Sequence, residues 1–225
     1  ALFVATLAEA AGACERSDWA DAAVRCAEFL GDELRRDDGR WLRSWQGDDR
    51  RGGRARHLAT AADLAAVIDA LVRTTELTGD GRWLEPATNT AEQLVELFWD
   101  DERGGLYSTG SDAEALVVRP KDLVDNATPS SNSLAAGAFL RLSVLTGDER
   151  WRQRARQIVR LAVPLAERQP LAFAHLLGAV DLLVRPAREV VVTGDRPDLV
   201  TVVRRRFRPG TQLAWGDPWG GPLWE

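Results

Sequence analysis

The chain has no methionine, one lysine, one tyrosine, two histidines and two cysteines in 225 residues. Two cysteines, Cys14 and Cys26, are too few for a disulfide scaffold. No CxxC pair and no Cys/His set with zinc spacing occurs, so no metal site is expected. Both cysteines lie in helical patterns and read as reduced, partly buried thiols of a cytoplasmic protein. No apolar run reaches the length of a membrane span and no signal peptide is visible, so a membrane is not an expected partner. Arginine supplies nearly all the positive charge, yet acidic residues outnumber basic ones, 34 to 29, for a net charge of −5. That balance argues against nucleic acid as a partner, because phosphate binding rests on clustered basic residues. The run Arg204, Arg205, Arg206 and Arg208 reads as the solvated end of a helix. No nucleotide-binding loop is present: Thr193-Gly194-Asp195 after a strand is too slight to be one, and no cofactor is expected.

What is abundant is alanine and leucine in helical register, arranged as a repeat. Leu77–Trp83 reads LTGDGRW, and 68 residues on, Leu145–Trp151 reads LTGDERW. A weaker copy, CERSDW, covers Cys14–Trp19. Apolar-periodic segments precede each copy (Leu2–Ala13, Ala61–Thr78, Ser133–Thr146) and follow it (Ala20–Arg35, Leu84–Phe98, Arg152–Leu165). In Thr-Gly-Asp, Gly suits the left-handed C-cap of one helix and Asp the N-cap of the next. Each repeat is therefore a helical hairpin, with Trp19, Trp83 and Trp151 packing structurally in the turns. The connections between hairpins are long. Arg36–Thr60 reads as a polar loop, and Gly105–Thr109 with Ala115–Arg119 read as a small β-hairpin around Gly110–Asp112. One more helix spans roughly Leu171–Val184. The tail is a strand at Glu189–Thr193, a helix at Asp198–Phe207 and a strand at Gln212–Trp215, with a patternless end.

The expected fold is thus all-α: a partial α/α toroid of about three helical hairpins plus one helix, residues 1–186, with a small β-α-β appendage, residues 187–225. A closed six-hairpin toroid needs on the order of 350 residues at the repeat lengths usual for such units, so this chain supplies about half. An opening Ala-Leu-Phe-Val inside a helical pattern reads as internal to something longer.

The stretch with the most chemistry is Val118–Ala136, VRPKDLVDNATPSSNSLAA. It holds Arg119, Lys121, Asp122, Asp125, Asn126, Ser130, Ser131 and Asn132, is stiffened by Pro120 and Pro129, and feeds a helix N-terminus. Apolar, strand-like Leu116, Val117 and Val118 precede it. The local reading is that Ser130 or Ser131 caps the helix and that Lys121 pairs with Asp122.

Phe98–Leu142 (FWDDERGGLYSTGSDAEALVVRPKDLVDNATPSSNSLAAGAFLRL), LTGDERW and the Leu171–Asp195 segment ending in REVVVTGD resemble the C-terminal part of the spermatogenesis-associated protein 20 family. The resemblance covers essentially the whole chain. It implies an N-terminal thioredoxin-like domain outside this chain, and a toroid like those of N-acylglucosamine 2-epimerases and six-hairpin glycosidases. The chain departs from the family pattern at Leu64, where the family tends to Tyr, at Ser131, and at Ser108, where it tends to Asp.

By that resemblance the expected ligand is a sugar or small polar metabolite, and the expected partners are the thioredoxin-like domain and the first half of the toroid. Glycosidic chemistry needs paired carboxylates. The candidates are Asp63, Asp122 and Asp125 as acid or base, with Lys121 polarising; Trp41, Trp45 and Tyr107 are candidate ring platforms. His57, Glu114, Arg119, Asn126, Ser130 and Asn132 are candidate substrate contacts, and His175 a further acid–base candidate that otherwise reads as a core histidine. The enzyme reading requires the polar loop to face a cavity with unpaired groups. The rival, a non-catalytic scaffold, requires those groups to satisfy one another. A third reading leaves the flanks of the half-barrel to pair with another subunit or with the missing half.

Overall fold

The computed structural model describes residues 1–48, 52–114, 117–185, 187–206 and 208–225. Three helical hairpins follow one another: α1 (Leu2–Cys14) with α2 (Ser17–Leu34), α3 (Ala61–Thr78) with α4 (Leu84–Phe98), and α5 (Ser131–Thr146) with α6 (Glu149–Ala166). A 3-10 turn, Pro170–Phe173, then leads into α7 (Ala174–Val184). Helices α1, α3, α5 and α7 pack side by side in a central row, and α2, α4 and α6 lie against them in a second row. Composition explains the layering. Helices α3 and α5 are apolar nearly all round and bury 12 of 18 and 13 of 16 residues, as a helix with neighbours on all sides must. Helices α4 and α6 carry one apolar stripe and one charged face, as fits an outer layer.

The two Thr-Gly-Asp turns form as their residue types require. Gly79 and Gly147 take left-handed φ values of 69° and 72°, and their amides bond back to Thr75 O and Ser143 O. Asp80 and Asp148 then accept from the amides of Arg82 and Arg150. The weaker first copy uses Glu15 at φ 53° instead of glycine. Trp83 and Trp151 are buried beside these turns, and Trp151 stacks on Phe139 at 5.4 Å.

Several local expectations are corrected. The polar loop after α2 is a hairpin of antiparallel strands, β1 (Leu42–Asp48) and β2 (Gly52–Leu58), with Trp45 paired to Ala55. Its glycines hid it: a Cβ on Gly53 or Gly47 would overlap the Trp45 ring, so they are there to let that ring lie flat. The hairpin expected around Gly110–Asp112 does not form among the described residues. Only a single bridge joins Trp99 to Leu106, Val117 and Val118 are exposed outside any strand, and Ala115 and Leu116 lie outside the described residues. Cys14 and Cys26 are exposed rather than partly buried, because each sits off the apolar stripe of its helix. His175 is exposed, not a core residue: Leu176, Ala179 and Leu182 form the buried face of α7.

In the tail, β3 (Arg188–Val192), α8 (Pro197–Arg204) and β4 (Thr211–Trp215) make a parallel β-α-β unit with Val190 opposite Leu213. It sits at the C-terminal ends of the central helices. Arg204 Nη2 donates to the last carbonyls of α3, Glu76 O and Leu77 O, and Trp215 Nε1 donates to Glu76 O at 2.9 Å. The final residues are not patternless in space. They run across the Thr-Gly-Asp turns, with Trp215 against Gly79, Trp219 against Gly81 and Pro222 against Gly147. No helix of the described residues is long and apolar enough to cross a membrane.

A Cβ at Gly147 would lie 2.6 Å from Pro222 Cδ at a φ disfavoured for L-residues. Gly147→Ala should therefore lose about 1–3 kcal/mol of stability in urea titration. Gly31→Ala, in helix α2 with nothing within 4 Å, should gain about 0.5–1 kcal/mol in the same assay.

Candidate functional site

The polar loop folds as a brace. Asn132, 1% exposed at the start of α5, accepts from Leu106 N (2.8 Å) and donates to Leu106 O (3.0 Å) and Asp122 O (2.8 Å). It thereby holds two loop segments as a strand partner would. Ser130 caps α5, its Oγ accepting from Ser133 N at 3.1 Å. Asp125 divides its carboxylate: Oδ1 accepts from Ser130 N at 2.9 Å, and Oδ2 from His175 N (2.9 Å) and Leu176 N (3.2 Å). One carboxylate thus serves the N-termini of two central helices, where a negative charge is favoured. Lys121 does not pair with its neighbour Asp122. Its Nζ lies 2.7 Å from Asp100 Oδ2 and donates to Gly104 O. Lys121 Nζ and the Arg119 guanidinium lie over the Tyr107 ring, 5.1 and 4.5 Å from its centroid. Arg119 Nη2 also donates to Leu97 O and Thr109 O. Lys121, above all, holds the Asp100 carboxyl well below the usual carboxylate range, helped by the Arg103 and Glu102 amides at 3.1 and 3.0 Å.

The other candidate residues are spread around this end of the molecule. Asp63 closes a capping box with Thr60 and meets Arg43 at 3.3 Å. Trp41 is 4% exposed, its Nε1 donating to Thr90 Oγ1 at 3.1 Å. Trp45 is partly exposed on β1, bonded to Glu33 and edge-on to Phe29 at 5.5 Å. His57 is exposed on β2 with a positive φ of 60°. Asp122, Glu114 and Asn126 are exposed, and the Asp122 and Glu114 carboxylates make no hydrogen bond or ion pair with the described residues.

A second constellation is absent from the list of candidate carboxylates read from the sequence. On α3, Asp69, Arg73 and Glu76 follow at helical spacing, the half-open stripe of an otherwise buried helix. Arg73 meets Glu9 of α1 (3.4 Å), Asp69 (3.8 Å) and Glu76 (3.6 Å), and Arg141 of α5 lies 3.9 Å from Asp69. The charges form a ladder across three central helices. Glu76 Oε1 accepts from Leu213 N at 3.1 Å. Gln212 joins the ladder once its side-chain amide is turned to the orientation its neighbours require, with the nitrogen then facing Glu76 Oε1 at 3.3 Å and the oxygen accepting from Arg141 Nη1 at 3.0 Å. Burial pushes the Arg141 guanidinium below its ordinary pKa, and Arg73 beside it pushes the same way. Beyond Arg141 the ladder opens into a groove of about 270 Å³ between α5 and α7, lined also by Gly137, His175, Gly178 and Asp181. The sequence carried one signal for it: charged residues at three- and four-residue steps in a helix otherwise apolar all round.

These features define a helical-hairpin repeat protein with a charged wall on its central row and a polar brace at the end where α3, α5 and α7 begin. Spermatogenesis-associated protein 20 of Homo sapiens is 30% identical over 164 residues, 69% of this chain and 21% of that protein. The Rattus norvegicus protein of the same name is 30% identical over 134 residues, 59% of this chain and 17% of that protein. An uncharacterised protein of Caenorhabditis elegans is 27% identical over 211 residues, 92% of this chain and 28% of that protein. The chain is a homologue of spermatogenesis-associated protein 20 and spans about a fifth of the length of the mammalian relatives it matches. No protein-family model matches it.

The Lys121–Asp100 pair has a definite pH signature. The Asp100 pKa is depressed in the folded chain, so its contribution to stability is present above the ordinary carboxylate pKa of about 4 and fades as pH falls below it. Lys121→Met should lower Tm by several degrees at about pH 7 and by clearly less at about pH 3. Melting curves at the two pH values check this; an equal drop at both would count against the pair.

Proposed function

We propose that this chain is one arc of an α/α toroid, and that the groove between α5 and α7 binds a sugar or another small polar metabolite. The observation that carries this reading is the charged ladder. Buried charges are costly unless paired, and a wall held together by paired acids and arginines keeps directed donors and acceptors at a surface where a hydroxyl-rich ligand could exchange them for water. His175 and Asp181 stand at the open side of the same groove. The sugar class comes from the family resemblance and not from the groove itself. In this reading the brace does its work indirectly, because Asp125 pins the start of α7 against the start of α5 and so sets the groove's width. Any acid–base step in this groove would fall to His175 or Asp181, which line it; Asp122 and Asp63, the carboxylates named from the sequence, lie outside its lining. The ends of the central row support a continuing arc: Phe3 on α1 and Leu171 before α7 are 72% and 94% exposed. Further hairpins of the longer protein would cover them, with the thioredoxin-like domain as a second partner.

A second reading, a non-catalytic scaffold in the cytoplasm, is favoured by one specific observation. Lys121, Asp125, Ser130 and Asn132 spend their hydrogen bonds on the protein itself.

The two readings separate in a thermal-shift panel of monosaccharides, disaccharides and sugar phosphates. His175 and Asp181 are exposed and take no part in the ladder, so His175→Ala and Asp181→Asn should fold normally. The ligand reading expects a saturable shift in the wild type that both variants reduce at least about tenfold in affinity, the cost of one lost charge-assisted hydrogen bond. No shift with any member of the panel would leave the scaffold.

A further inference from the structure

A second cavity, of about 540 Å³, adjoins the ladder between α1, the C-terminal end of α3 and residues of α8 and β4. Five arginines line it (Arg73, Arg204, Arg205, Arg206 and Arg208) against two glutamates, Glu9 and Glu76. This is a surplus of positive charge in a chain whose net charge is −5. The run ends helix α8 with Arg205, Arg206 and Arg208 exposed, and the fold sets this solvated helix end beside a concavity.

The five arginines are not equally committed. Arg73 is spent on Glu9, Asp69 and Glu76. Arg204 caps the carbonyl end of α3, and its side chain is packed so closely on Gly12 that a Cβ there would lie 3.0 Å from Arg204 Cδ. Arg205 pairs with the exposed Glu15. Arg206 and Arg208 are exposed, line the cavity, and have no carboxylate or carbonyl partner among the described residues. The wall is also under-compensated. Burial pushes the Arg204 guanidinium down to about 10, with only Glu76 opposing, so an added anion would be drawn to this wall. Thr211, at the start of β4, offers a hydroxyl on the same wall.

We propose that this cavity is a binding site for a small phosphate-bearing metabolite, held by Arg206 and Arg208 in front of the Arg204 wall. Guanidinium forks match phosphate oxygens bidentately, and a concave wall screens them less than open solvent does. The cavity's size suits a small molecule, and the acidic surface of the remaining chain disfavours an extended polyanion such as nucleic acid. The site is separate from the groove between α5 and α7 and does not depend on what that groove binds.

Inorganic pyrophosphate is the probe, titrated calorimetrically into the full chain at low ionic strength. One saturable site is expected, weakened about tenfold or more in Arg206→Gln/Arg208→Gln. Both side chains are exposed, so that variant should melt as the wild type does. Arg206→Lys/Arg208→Lys, which keeps the charge but loses the planar forks, should bind more weakly than the wild type and more tightly than the glutamine variant, and His175→Ala, in the other groove, should bind as the wild type does. Absence of saturable binding, wild-type affinity in the glutamine variant, or loss of binding in His175→Ala would each overturn the proposal.

Discussion

Two helices with neighbours on every side, α3 and α5, set the terms for the whole molecule. A helix enclosed in this way can be apolar all round, and these nearly are; any charge it does carry must find a partner in a place where desolvation is expensive. Asp69, Arg73, Glu76 and Arg141 meet that demand by pairing across helix boundaries, with Glu9 on one side and Gln212 on another. The ladder is therefore an orientation device as well as a charge balance. Sliding α1 or α5 by one turn along α3 would leave at least one buried charge unpaired, whereas apolar packing alone would tolerate the slip.

Both ends of the central row are secured by groups that satisfy helix termini. At the N-terminal ends the capping comes from Thr60 with Asp63, from Ser130, and from Asp125, which spans to α7. At the C-terminal ends it comes from Gly79 and Gly147 in left-handed conformation and from the Arg204 guanidinium on the carbonyls of α3. The tail can then lie directly on the Thr-Gly-Asp turns, because glycine leaves the room that Trp215, Trp219 and Pro222 occupy. The same glycines do two jobs, ending the helices and seating the tail.

The two candidate cavities border the same charged network, one beside α1 and the other between α5 and α7. Arg73, a member of the ladder, lines both. The ladder's own charges are already paired within the fold, so the exposed residues (His175 and Asp181 at one cavity, Arg206 and Arg208 at the other) are the ones free to decide what binds.

The hairpins were legible because their signals are local. Thr-Gly-Asp specifies a left-handed cap followed by an N-cap within three residues, and the helical segments Ala61–Thr78 and Leu84–Phe98 begin and end where their periodicity does. The cap at Ser130 was equally local, since it acts on an amide three residues away. The strands of the first connection were not legible, because Gly47 and Gly53 are determined by the bulk of the Trp45 ring that crosses them. Nor was the partner of Lys121, which passes over the adjacent Asp122 for Asp100, 21 positions back, once the chain has doubled on itself. The sequence by itself determined which segments are helices, where they turn and which faces are apolar, since backbone preference and hydrophobic period act over a few residues. Only the tertiary structure decided which charges meet, that Asp125 serves two helices, and that an arginine run borders a cavity. Those outcomes depend on distances between residues that no local rule brings together.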